Sequence, residues 1–168
     1  MPVALDFSKL TLMDALDLAI LIEIEALERY RQFASQLGHS RANDPASVFS
    51  MMVVSEAKHA QELSERRQAL FGDAPVRVKK TALYDVEAPE AGAVRWNMST
   101  LHAFQIALSS EQKAYDFYDL AIPHVQNEQV RTLFRELRDE ETEHVQLVEQ
   151  AIAQLPPEAA WELEDQDD

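Results

Sequence analysis

Glu56-Ala57-Lys58-His59 and Glu141-Thr142-Glu143-His144 decide how this sequence is read. Each is a Glu-x-x-His inside a long segment of helical apolar periodicity. On an α-helix three residues turn about 300° and rise about 4.5 Å, so carboxylate and imidazole leave one face a turn apart. That spacing lets the two side chains grip one metal ion. A single such tetrad arises easily by chance. Here both lie on faces that are otherwise apolar. One face runs Phe49, Met52, Val53, Glu56, His59, Ala60, Leu63 and Leu70; the other runs Phe134, Leu137, Glu141, His144, Val148, Ile152 and Leu155. Burying a carboxylate there is costly unless something compensates it. A metal ion would.

Two further segments carry the same signature. The stripe Leu16, Ala19, Ile20, Glu23, Leu27, Tyr30, Phe33 and Leu37 holds a glutamate, with a tyrosine seven residues later. So does Leu101, Phe104, Leu108, Glu111, Tyr115, Tyr118 and Ile122. Glu25 and Glu28 fall elsewhere on the first helix and read as solvated charges. The spacings repeat too: Glu23 precedes Glu56 by 33 residues, and Glu111 precedes Glu141 by 30.

Start and stop signals place helices over about 12–37, 45–71, 100–122 and 128–155. Thr11 with Asp14 forms a capping-box variant, Asp44-Pro45 and Ser99 open the second and third helices, and Asn127 opens the fourth. Gly38 and Gly72 suit the left-handed position after a helix, and prolines 123, 156 and 157 end the others. The short connections make two antiparallel hairpins. Asp73 to Met98, with Pro75, Pro89 and Gly92, is long enough to cross the whole length of a bundle, and Val76 to Val78 read as locally extended. The expected fold is all-α: an antiparallel four-helix bundle with a long crossover, forming a single domain over 1–168. The tail 156–168 carries six acids and no bases and reads as a solvated end, with Trp161 and Leu163 able to dock. Met51, Met52 and Met98 read as core filler, and His39, His102 and His124 as surface or capping residues.

Glu23, Glu56, His59, Glu111, Glu141 and His144 therefore converge at mid-bundle, the donor set of a di-iron or di-manganese carboxylate site. Composition removes several other classes. The absence of cysteine rules out disulfides, thiolate zinc sites, iron–sulfur clusters and a cysteine nucleophile. A formal charge of -15 without a basic patch argues against nucleic acid as a partner. The stretch Met1 to Asp6 lacks the features of a signal peptide, and the longest apolar run, Leu18 to Ile22, is too short to span a bilayer. A cytoplasmic protein with no membrane partner is expected.

At these residues, from Thr11 to Leu155, the chain resembles the rubrerythrin-like branch of the ferritin-like superfamily. The resemblance implies that Glu56 and Glu141 bridge two metals, that Glu23 with His59 completes one, and that Glu111 with His144 completes the other. It also implies that Tyr30 and Tyr118 donate hydrogen bonds to ligand carboxylates. The chain departs from rubrerythrins proper in having no rubredoxin-type cysteines, and in having Ala114 where they carry a further glutamate. Bacterioferritins share the six-ligand set, but Ala57 stands where they have a haem-binding Met, so no haem is expected. The implied function is that of a non-haem di-iron redox protein reducing hydrogen peroxide, with two iron ions per chain and an external electron donor. A homodimer is expected. Manganese or zinc would fit the same ligands. Three alternatives use them as well: a ferroxidase serving iron storage, an oxygenase acting on an organic substrate, and a non-catalytic metal-binding structural module.

Overall fold

The structure, a computed structural model, describes residues 5–37, 45–79, 86, 88–89, 92–95 and 97–160. The signals read at Gly38, His39, Asp44, Trp161 and Leu163 lie outside the described residues. Four helices carry the fold: α1 (Leu12–Leu37), α2 (Pro45–Phe71), α3 (Thr100–Ala121) and α4 (Glu128–Ala153).

Their ends follow the local chemistry. The Thr11 hydroxyl accepts from the Asp14 amide at 3.1 Å, while Asp14 accepts from the Thr11 amide at 3.4 Å, a reciprocal capping box. Ser99 Oγ accepts from the His102 amide at 3.0 Å, and Asn127 Oδ1 accepts from the Gln129 and Val130 amides. Gly72 stands at φ 58°, the left-handed conformation that ends α2. Two stops fall earlier than expected. α3 gives way at Ala121 to a 3-10 turn, Ile122–His124, which accommodates Pro123. α4 ends at Ala153 with Gln154 as its cap. Another 3-10 turn, Pro157–Ala160, tucks Ala159 against α3, so the tail is not wholly solvated.

α1 packs along α2 and α3 along α4, giving the two hairpins. The core falls into two apolar layers, each drawn from all four helices. One contains Leu16, Ala19 and Ile22 of α1, Leu63 of α2, Tyr118 of α3, and Leu133 and Leu137 of α4. The other contains Tyr30 and Phe33, Phe49 and Met52, Ala103 and Phe104, and Val148, together with Met98. The early part of α2 thus meets the early part of α3, so these helices run parallel. That arrangement requires the long crossover. Arg29 and Lys113 anchor it by donating to the carbonyls of Pro89 and Ala88, the latter at 2.9 Å. Val76 and Val78 belong to no strand.

Two expected core positions face solvent instead: Leu70, in the last turn of α2, and Met51. α1, conversely, is buried more broadly than one stripe, with Ala15, Leu18 and Ala26 enclosed.

One buried ion pair fastens the far end of α2. Arg67 donates to both Asp17 oxygens at 2.8 and 3.2 Å, and to the Gly72 and Ala74 carbonyls at 2.7 and 2.6 Å. Removing the guanidinium strands Asp17 and two carbonyls. Arg67→Ala is expected to lower the melting temperature by about ten degrees. Asp17→Leu combined with Arg67→Met, which leaves no buried charge, should recover most of that loss in the same calorimetric scan.

Candidate metal centre

Between the two apolar layers lies a polar one. On α1, Glu23 separates Ile22 from Ala26; on α2, Glu56 and His59 separate Met52 from Leu63. On α3, Glu111 separates Ala107 from Tyr118, and on α4, Glu141 and His144 separate Leu137 from Val148. All six residues expected from the sequence are thus brought to one level. The four glutamates are no more than 1% exposed. The imidazoles reach nearer the surface, with 14% and 13% of their side-chain areas open.

Two groups of donor atoms form there. Glu23, Glu56 and His59 place ligand atoms within 4.8 Å of one another, and so do Glu56, Glu111 and His144. Glu56 belongs to both. Glu141 stands beside the second group, its Oε2 3.7 Å from His144 Nδ1. The two imidazole rings stack at 4.6 Å between centroids and 2° between planes.

Each charge state has a physical cause. Burial, with the Glu111 charge nearby, pushes the Glu23 carboxyl up to about 7. Burial raises Glu141 well above the ordinary carboxylate range. Burial also opposes the charge on Glu111, but hydrogen bonds with His144 and Glu141 hold it below the usual value. Burial disfavours the His144 cation as well, yet its 3.0 Å contact with Glu111 and the nearby Glu141 bring it up to about 10. Burial and the neighbouring His144 lower His59.

The group fits metal binding on its own chemistry. Both oxygens of Glu23, one each of Glu111 and Glu141, and His59 Nδ1 are buried with no hydrogen-bond partner. Buried polar atoms are normally satisfied. Glu23 and His59 lie in one donor group and Glu111 in the other, with Glu141 beside it, and carboxylate with imidazole suits iron, manganese or zinc.

Tyr30 and Tyr118 are fully buried, one in each apolar layer. Tyr30 stacks on Phe49 at 6.0 Å, and Tyr118 leans on Phe134 at 5.4 Å. Two features escaped the sequence reading. Glu140 is half-buried beside the site, and burial raises its pKa. Its helical position, one residue before Glu141, is the only signal it offered. The other is an apolar cleft of ≈ 330 Å³ beside His144, floored by Met52, Phe104 and Val148.

The sequence pattern of the rubrerythrin family matches residues 14–152 and 102–166. The chain belongs to the rubrerythrin family. Three solved structures resemble this rubrerythrin-family chain. An uncharacterized conserved protein from Magnetospirillum magnetotacticum MS-1 is 28% identical, with a TM-score of 0.67 over 88% of this chain and 97% of that one. A hypothetical protein from Pyrococcus furiosus is 23% identical, with a TM-score of 0.55 over 89% and 95%. The ferritin-like, diiron-carboxylate proteins from Bacillus anthracis str. Ames are represented at 16% identity and a TM-score of 0.50, over 83% and 94%. The last two likenesses concern the fold, which is ferritin-like. No curated protein sequence matches. Among the described residues no helix is long and apolar enough to cross a membrane.

Proposed function

We propose that the protein is a di-iron peroxidase that reduces hydrogen peroxide to water. The observation that carries this reading is Glu56, shared by two donor groups sealed between apolar layers. Glu23, Glu56 and His59 would hold one metal ion and Glu111, Glu141 and His144 the other, with Glu56 within reach of both. Four carboxylates balance two divalent cations, so the loaded layer is neutral and its burial ceases to be costly. A ferrous pair held there would supply the two electrons by which, with two protons, one peroxide becomes two waters. The chain's own part is to fix the ligands on four helices, exclude bulk water and hold protons near the site. His144 and Glu140 stand at its wetter edge for the last task. Without cysteine for an internal electron-transfer centre, turnover draws on an external donor.

The test is anaerobic loading with ferrous iron, followed by mixing with each oxidant and monitoring of the ferric absorption. Faster oxidation by hydrogen peroxide than by dioxygen, at two irons per chain, is expected. Faster oxidation by dioxygen with uptake of many further irons would assign the protein to iron handling. The apolar cleft favours a second reading, oxygenation of an organic substrate. Dioxygen consumption that rises when an apolar compound is added would select it.

A further inference from the structure

The cleft beside His144 opens onto one half of the site. Met51, Met52 and Ser55 of α2, Phe104 of α3, and Leu147, Val148 and Ala151 of α4 surround it, and His144 closes its inner end. Its volume of ≈ 330 Å³ lies at the lower end of the range of about 300–1,000 Å³ typical of small-molecule sites. The floor is buried, whereas Met51 and Leu147 form an exposed lip, 54% and 62% open.

The lining chooses its ligand by charge. It has no Lys, Arg, Asp or Glu, and its polar groups are the Ser55 hydroxyl and the His144 ring. An anion would meet only His144, already paired with Glu111 at 3.0 Å, and would approach four buried carboxylates in a chain of net charge -15. An extended charged molecule would leave its charge desolvated. What fits is a compact, uncharged molecule with an apolar body and one polar end. The body covers Met52, Phe104 and Val148, and the polar end meets the imidazole.

We propose that the cleft holds the apolar group of an organic hydroperoxide and presents its O–O end at His144. This rests on the peroxide-reducing reading and names a substrate class for it. The O–O bond breaks, two electrons come from the reduced centre of that reading, and two protons are taken up. The products are the corresponding alcohol and one water. Methionine suits such a lining, because its unbranched side chain adapts to ligands of different shape.

The binding half of the proposal needs no metal. 2-Phenyl-2-propanol, the product expected from cumene hydroperoxide, is titrated into the metal-free protein while the imidazole resonances are followed by NMR. Saturable shifts at His144, larger than at His59, are expected. Ala151→Phe, which fills the cleft, and Leu147→Glu, which places a charge on its exposed lip, should each weaken binding about tenfold or more. In the ferrous protein each variant should lower the rate with cumene hydroperoxide relative to that with hydrogen peroxide, by about the same factor. Binding that ignores both substitutions, or a rate ratio unchanged in both, overturns the inference even if hydrogen peroxide reacts rapidly. Intact, Ala151-dependent alcohol binding in a protein that neither peroxide oxidises overturns the reduction reading and with it the hydroperoxide assignment.

Discussion

Glu56→Ala is expected to release both metal ions at once, with affinity falling by more than about 100-fold at each position. Loss of a mere supporting hydrogen bond already costs 10–100-fold at metal sites, and Glu56 is a direct donor to both groups. Glu23→Ala should behave differently. Glu23 belongs to the group with His59 alone, so one ion should leave and one remain. Elemental analysis after gel filtration distinguishes the two outcomes. A variant that keeps two tightly bound ions would show that Glu56 does not join the two positions.

Metal loading at pH 6 should release about two protons per chain, from Glu23 and His144, each of which holds a proton in the metal-free fold at that pH. Apparent affinity should then climb about tenfold per pH unit for each proton displaced. Stability of the metal-free fold follows from the same groups. Glu23 ionises near 4.5 when unfolded but near 7 when folded. Its contribution is complete below 4.5 and is lost as pH rises through 7, about 3 kcal/mol. Glu141 acts in the same direction. The His144 contribution is complete below its ordinary 6.5 and disappears as pH rises toward 10. His59 and Glu111, both lowered, oppose this only on the acid side, since their contributions are lost as pH falls. Above pH 6.5 nothing in the site offsets the decline. The metal-free protein should melt progressively lower from pH 6.5 to 9, while the loaded protein changes little. Calorimetry with and without chelator, and proton release in weak buffer, check both statements. Parallel curves for the two forms, with less than one proton released, would show that metal does not bind these groups.

The site was legible because its residues break a local rule. Charged side chains at helical spacing on four apolar stripes can be read without knowing how the helices meet. The helix starts at Thr11, Ser99 and Asn127 were legible for the same reason, since a cap is a contact between near neighbours. What escaped depends on long-range geometry. Asp17 and Arg67 are 50 residues apart, and nothing local announces their pairing. Met51 was expected in the core because methionine usually fills gaps, yet it stands at the lip of a cleft assembled from three helices. Leu27 was expected to face inward and is only half-buried, whereas Ala26 is fully enclosed. The broad burial of α1 exceeds the single stripe that periodicity suggests.

The division of the core into two layers also bears on what half of this chain could do alone. Leu16 and Ile22 need Leu133 and Leu137 opposite them, just as Phe33 and Phe49 need Phe104 and Val148. A helical hairpin cut from the chain would own half of each layer and complete neither. It would expose a continuous apolar flank from end to end, interrupted only by its glutamates and its histidine. Such a fragment could regain a closed core only against another hairpin. The molecule is therefore a covalently tethered pair of interdependent halves, and α2 to α3 is the tether.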